Sequence, residues 1–416
     1  MLTAALLLAA GVMLTLAVGE RPLRKLPLTP SVLYLCAGLA AGVALDVPGR
    51  WAVDQHADWL VVVIELAVLV SLFAVGLRLR VAPTWRERWA EWRVALLMAG
   101  PGMLVAVLLG GALAMLVLGL PWPAAFLLAA VLSPTDPVLA SEVQIRSDSD
   151  RDAVRFSLTA EGGLNDGTAL PAVLLALAAM ALGAPALVSG NVGEMAWALG
   201  WPVIGGALIG LATGTLLGHV LADRARRADP LLRDELLTMG AVTLAYGLAL
   251  ATRTSAFVLV FFLALMLLAP LTRAGLHGSE QALSKRMHSF SARIERLVEA
   301  SAVTAVGVAL SGIDASAPVL AFALAIVVVV RPLSAIAVVR RHAMAGLQRR
   351  MVAWFGIRGI GSLYYLVYAL SQGVQGPVAR SLVDATLAAI AASIVLHGVS
   401  VTPLMARYGR GGKRAG

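Results

Sequence analysis

The chain has 416 residues, 59% of them hydrophobic and 14% charged, with a mean hydropathy of +0.85. An average soluble domain is about half apolar and roughly a quarter charged, so this balance excludes a soluble globular fold and points to an all-α, polytopic membrane protein. The pI of about 10.4 would suit a nucleic-acid partner, but the placement of the basic residues, below, requires no acidic partner other than lipid headgroups. The single cysteine, Cys36, lies in an apolar run, which excludes an intramolecular disulfide and a cysteine metal cluster.

Charged and Pro/Gly clusters divide the chain into about thirteen apolar segments of spanning length. They fall near 2–18, 28–45, 58–77, 94–119, 122–143, 153–181, 194–221, 234–251, 255–272, 296–313, 316–339, 350–371 and 380–404. The first run has its charges, Arg21, Arg24 and Lys25, after it rather than before, which reads as a retained span and not as a signal peptide. With the N-terminus outside, 28 of the 33 basic residues fall in inward-facing segments. The outward segments hold only Arg50, Arg253 and Arg380, and Arg331 and Arg358 lie inside apolar segments. This bias is the positive-inside rule, and an error of one span would scramble it. It places the C-terminal tail in the cytoplasm and the protein in the cell (inner) membrane. The inward stretch from His277, "HGSEQALSKRMHSFSARIERL", is expected either as a helix at the membrane surface or as a solvated connector. In "GGALIGLATGTLLG" (205–218) the spacing of small residues predicts close helix packing.

An ionisable group inside a span is costly, about 2.5–3.5 kcal/mol or more at the bilayer centre, and marks function. Glu65 is the only charge in its span. In "VLSPTDPVLASEV" (131–143), Pro134 and Pro137 flank Thr135 and Asp136, so the helix is expected to break there. Such a break turns helix ends toward the membrane middle, where transporters bind ions. In "AEGGLNDGTALP" (160–171), Glu161 and Asn165 share a helix face while Asp166 points about 100° away. A carboxylate there can hold a cation when ionised or a proton when neutral. Arg331, in "VVVVRPLSAIAVV" (327–339), requires a buried acidic partner, for which Glu161 is chosen. In "WFGIRGIGSLYYL" (354–366), Gly356, Gly359 and Gly361 surround Arg358 and predict a second unwound span. Two interrupted spans, one in each half, signal an inverted-repeat transporter. Glu299, Asp314 and Asp384 are read as structural, and His397 as a core histidine.

Together these motifs resemble the cation:proton antiporter superfamily, in its electroneutral branch of NhaP-type bacterial antiporters and animal sodium–proton exchangers. "SPTDPVLAS" resembles the broken-helix motif, "EGGLNDG" the Glu-x-x-x-Asn-Asp signature, and "VVVVRPLSA" and "GIRGIGSL" the later arginine span and second broken helix. The resemblance implies two crossed, interrupted helices in a core of residues 94–181 and 316–404. Residues 1–93 and 182–315 would then form the scaffold and homodimer interface, ahead of the tail at 405–416. It implies that Asp166 exchanges Na+ for a proton, with Thr135 and Asp136 adding oxygen or electrostatic support and Glu65 an acidic cavity residue. Glu161 would pair with Arg331 and bond to Asn165, and Arg358 would compensate helix ends at the crossing. Members often carry serine after the signature glutamate; here that position is Gly162.

One site with two competing occupants gives electroneutral exchange of Na+ or Li+ for H+, a role in pH homeostasis, and needs no cofactor. K+/H+ exchange is the alternative. A cation channel fits two broken spans less well. An intramembrane aspartyl protease would need the Tyr-Asp and Gly-x-Gly-Asp motifs, which are absent from the sequence.

Overall fold

The structure, a computed structural model, describes residues 11, 29–44, 57–79, 85–136, 139–140, 143–145, 150, 152–182, 191–227, 234–339 and 344–412. Among these residues every regular element is helical. Eight helices among the described residues are long and apolar enough to cross a membrane, and Pro30–Ala44, Trp122–Val131 and Ile360–Ser371 are shorter apolar helices. The expected segments from 28–45 onward fall on helices. The first, 2–18, lies outside the described residues apart from Gly11, as do several basic residues that orient the chain, among them Arg21, Arg24, Lys25, Arg50, Arg340 and Arg341.

Two compact units emerge, one of residues Met1–Ile64, Leu104–Val143 and Arg296–Gly416, the other of Glu65–Met103 and Gln144–Glu295. The first holds both interrupted helices, one from each half of the sequence. Trp122–Val131 stops at Leu132 and the backbone is non-helical from Ser133 through Asp136. Gly346–Trp354 is followed by the non-helical residues 355–359 and then by Ile360–Ser371. A third helix of this unit runs Ala317–Ala325, widens to a π turn at Ile326–Val330, and resumes as Arg331–Val338. The π turn ends just before Pro332, which has no N–H to give to the preceding turn. Close approach in this unit rests on glycine: a Cβ on Gly307 would meet the Leu35 carbonyl.

In the second unit the helix Ala256–Leu267 is the centre of packing. Ser255 caps it, its Oγ accepting from the Val258 N–H at 3.4 Å. The long helix Val192–Arg226 lies along it through Gly206, Gly210, Gly214 and Gly218, each set against the carbonyl of Ser255, Leu259, Leu263 or Leu267 in turn. Both series advance by four residues, so one ladder of missing side chains admits one row of backbone oxygens, as the small-residue spacing predicts. A second π turn, Met98–Gly102, contains Pro101. The stretch from His277 is helical and runs without interruption into the following segment as His277–Leu310. Its Glu280, Leu283, Ser284, Met287, Ser291 and Glu295 are buried while Lys285 and Arg293 are exposed, an amphipathic face rather than a connector.

Candidate functional site

The first unit brings together the residues of the two breaks. A helix end exposes unpaired backbone groups, N–H at the start and C=O at the finish, and these carry partial charges of opposite sign. Arg358, from the second break, places its guanidinium on the carbonyls of Ser133 and, at 3.0 Å, Pro134, just past the end of Trp122–Val131. Asp136, from the first break, does the converse. Its Oδ2 accepts from the Ile360 N–H at 2.5 Å, the first residue of Ile360–Ser371. Its Oδ1 accepts from the Leu139 N–H at 3.3 Å, and its carbonyl from the Ala140 N–H at 3.2 Å. The Asp136 N–H donates to the Ile357 carbonyl at 2.7 Å and ties the two non-helical segments directly. Arg331 donates to the carbonyls of Val352 at 3.2 Å and Phe355 at 2.9 Å, at the end of Gly346–Trp354.

The glycines of the second break make these approaches possible. A Cβ on Gly356 would overlap the Arg331 side chain, and one on Gly359 would overlap the Asp136 carboxylate and Leu139. Arg358 is 1% exposed, Asp136 3% and Thr135 6%, so the charges of the crossing are buried.

In the second unit Glu161, Asn165 and Asp166 lie within one unbroken helix, Ala153–Leu182, and all three are buried, Asp166 at 1% exposure. Glycine again sets the placement. Gly163 lies against the Phe261 ring and Gly167 against Val258, both on the central helix. One turn on, Thr168 Oγ1 donates to the Ala99 carbonyl of the π turn at 2.8 Å, fixing the other side of the acidic helix. Gly162 is buried too. Glu65 accepts from the Tyr246 hydroxyl at 3.2 Å, a partner that nothing in the sequence around Glu65 announces. Arg78 bonds Gln144 at 2.9 Å and Glu295 at 2.5 Å, another link not visible in the sequence. Among the described residues no group of three or more His, Cys, Asp or Glu side chains could hold a metal ion.

Buried carboxylates and guanidinium groups inside apolar helices, two of them interrupted and crossing, define a membrane transporter of the broken-helix class. The chain belongs to the sodium/hydrogen exchanger transmembrane family, whose pattern matches residues 10–407. It is 28% identical over 340 residues to the Na+/H+ antiporter NhaP of Pseudomonas aeruginosa, covering 76% of this chain and 74% of that protein. It is also 28% identical over 178 residues, 38% of this chain and 25% of the relative, to the sodium, potassium, lithium and rubidium/H+ antiporter of Bacillus pumilus. The fold is that of the sodium proton antiporter MjNhaP1 of Methanocaldococcus jannaschii. Its pH 8 structure has a TM-score of 0.72 at 19% identity over 98% of each chain, and a second structure has 0.74. The protein is thus a multi-pass cation/proton antiporter and belongs to a transporter family rather than an enzyme family.

Proposed function

We propose that the protein exchanges Na+ or Li+ for H+, one for one, by competition at the Asp166 carboxylate. The observation that carries this reading is the burial of Asp166, at 1% exposure, in the middle of an unbroken apolar helix beside the neutral Asn165. Ionised, the carboxylate attracts a hard cation through oxygen; protonated, it does not. The other charges of the site have fixed occupations. Asp136, Arg358 and Arg331 are engaged by backbone groups; with Asp166 as the carboxylate that changes occupant, one proton is traded for one monovalent cation and the cycle is electroneutral. On the sequence pattern Thr135 would supply a further oxygen to the cation, Glu161 would be the acid for Arg331, and Glu65 would belong to the ion path. The orientation, N-terminus outside and C-terminus cytoplasmic in the inner membrane, rests on the distribution of basic residues, and the homodimer on the family resemblance.

A second reading, K+/H+ exchange, draws on Gly162, which brings no side chain to the position after Glu161, and on the Bacillus relative, whose name includes potassium. Everted vesicles with an imposed pH gradient, challenged in turn with Na+, Li+ and K+, separate the two. Wild type should collapse the gradient with Na+ and Li+, needing more cation as the pH falls, and Asp166→Asn should not respond. Activity retained in Asp166→Asn refutes the carboxylate mechanism. In proteoliposomes, turnover that follows the membrane potential refutes the one-for-one ratio.

A further inference from the structure

The last helix, Gly376–Gly412, carries Ser393, His397 and Ser400 among its polar side chains. Spacings of four and three residues set them on one face over two turns. All three touch the second break. The Arg358 N–H donates to Ser393 Oγ at 2.9 Å. The Trp354 indole N–H donates to Ser400 Oγ at 3.0 Å. The His397 ring, 0% exposed, lies between them, its Nε2 3.0 Å from the Trp354 carbonyl and its Nδ1 3.2 Å from Ser393 Oγ.

The chemistry of the partners sets the direction of each bond. A carbonyl only accepts, so Nε2 carries the proton and donates to Trp354. Ser393 Oγ already accepts from Arg358, so its own hydrogen is available to Nδ1, which accepts it. The Ser393 carbonyl, 2.9 Å from Nδ1, is an acceptor as well; a neutral ring has one proton, and only Nδ1 has a donor beside it, the Ser393 hydroxyl, so the bare nitrogen is Nδ1 and the proton stays on Nε2. One neutral imidazole then completes a directed chain: Arg358 N–H to Ser393 Oγ, Ser393 O–H to His397 Nδ1, His397 Nε2–H to the Trp354 carbonyl. A doubly protonated ring would set a third positive charge beside the break, where the guanidinium groups of Arg331 and Arg358 already bond.

We propose that His397 is a positioning residue for the antiport reaction. It fixes both edges of the second break, the carbonyl at Trp354 and, through Ser393, the backbone of Arg358. The five residues of that break also carry Ile357, which accepts from Asp136, and the Arg358 side chain, which neutralises the first break. A histidine one turn from a serine thereby holds the second break in register with the first. For its functional readout this inference rests on exchange through Asp166; for its geometry it does not.

The test has a spectroscopic arm and a transport arm. Wild-type protein labelled with ¹⁵N-histidine in bilayers carries six histidines, and the His397 signal is the one lost in His397→Gln. It should show one protonated ring nitrogen, Nε2, and one bare nitrogen, Nδ1. A proton on Nδ1 overturns the proposal. In proteoliposomes His397→Leu, which removes both bonds, should lower the maximal exchange rate about tenfold with an unchanged cation KM. His397→Gln offers an amide N–H to Trp354 and an oxygen to Ser393, and should return the rate to within about threefold of wild type. Ser393→Ala should resemble the leucine variant, and decides the matter should that variant fail to fold. Equal rates in the leucine and glutamine variants, or full activity in Ser393→Ala, overturn the proposal. Full activity in Asp166→Asn, with the histidine pattern intact, would instead refute the exchange reading and leave the positioning role standing.

Discussion

Replacing Asp136 with asparagine separates two roles that the sequence leaves merged, cation ligand and helix cap. Both carboxylate oxygens of Asp136 accept from backbone N–H groups, Ile360 at 2.5 Å and Leu139 at 3.3 Å, at 3% exposure. Asparagine keeps one acceptor and turns an NH2 group toward the other donor. It also removes the negative charge from a helix start. A buried hydrogen bond to a charged group contributes about 1.5–3 kcal/mol, and a charge at a helix end about 0.3–2 kcal/mol. The retained amide bond is roughly half as strong as the charged one, so the net loss should be about 2–3 kcal/mol. That is about a 30- to 150-fold shift toward an opened crossing. Thermal unfolding in detergent should fall by several degrees, and the maximal exchange rate in proteoliposomes should fall with it. The cation KM should stay within about twofold of wild type, since no ligand has been removed. An unchanged unfolding temperature together with a raised cation KM would refute the cap and make Asp136 a ligand.

Other substitutions probe the same reasoning. Gly359→Ala puts a methyl group into the Asp136 carboxylate and Leu139, so it should reproduce the asparagine phenotype in unfolding temperature with no charge changed. Gly214→Val forces branched carbon against the Leu263 carbonyl in the glycine ladder; overpacking of this kind costs about 1–3 kcal/mol or more, and purified yield and unfolding temperature should both drop. If Glu161 is the acid for Arg331, as proposed, Glu161→Ala should cost several kcal/mol, about 3–5, and a second change, Arg331→Met, should recover part of the folding yield. Normal stability of the single variant would remove Glu161 as the counter-charge.

Much of the fold is legible in the sequence because the signals are local. Pro134 and the glycines around Arg358 announce two breaks, and each falls where it is expected. The repeat of Gly206, Gly210, Gly214 and Gly218 announces one close helix face, although its partner, the row of carbonyls from Ser255 to Leu267, cannot be read from it. The stretch from His277 combines both cases. Its charges suggest a surface or a connector, yet Leu283, Met287 and Ser291 recur at helical spacing and are buried. What is not legible is pairing across the chain. Asp136 and Ile360 lie 224 residues apart, and a backbone N–H carries no mark in the sequence that it awaits a carboxylate. Tyr246 beside Glu65 and His397 beside Trp354 are hidden for the same reason.

The two breaks share their compensation, and this bears on how the crossing can fail. Each interrupted helix carries the charge that the other requires: Arg358 serves the carbonyls at the end of the first helix, and Asp136 serves the amide at the restart of the second. Were each charge placed on its own helix, either break could open with its compensation intact. Here opening either one strands a buried charge in the other, and an isolated buried charge costs far more than a lost neutral hydrogen bond. The direct Asp136 N–H to Ile357 bond adds a short backbone strut between the same two segments. The crossing should therefore be rigid and all-or-none. Losses from Asp136→Asn and Gly359→Ala should overlap in the double variant rather than add, the sign of residues acting as one unit. Additive losses would mean that the breaks are compensated separately.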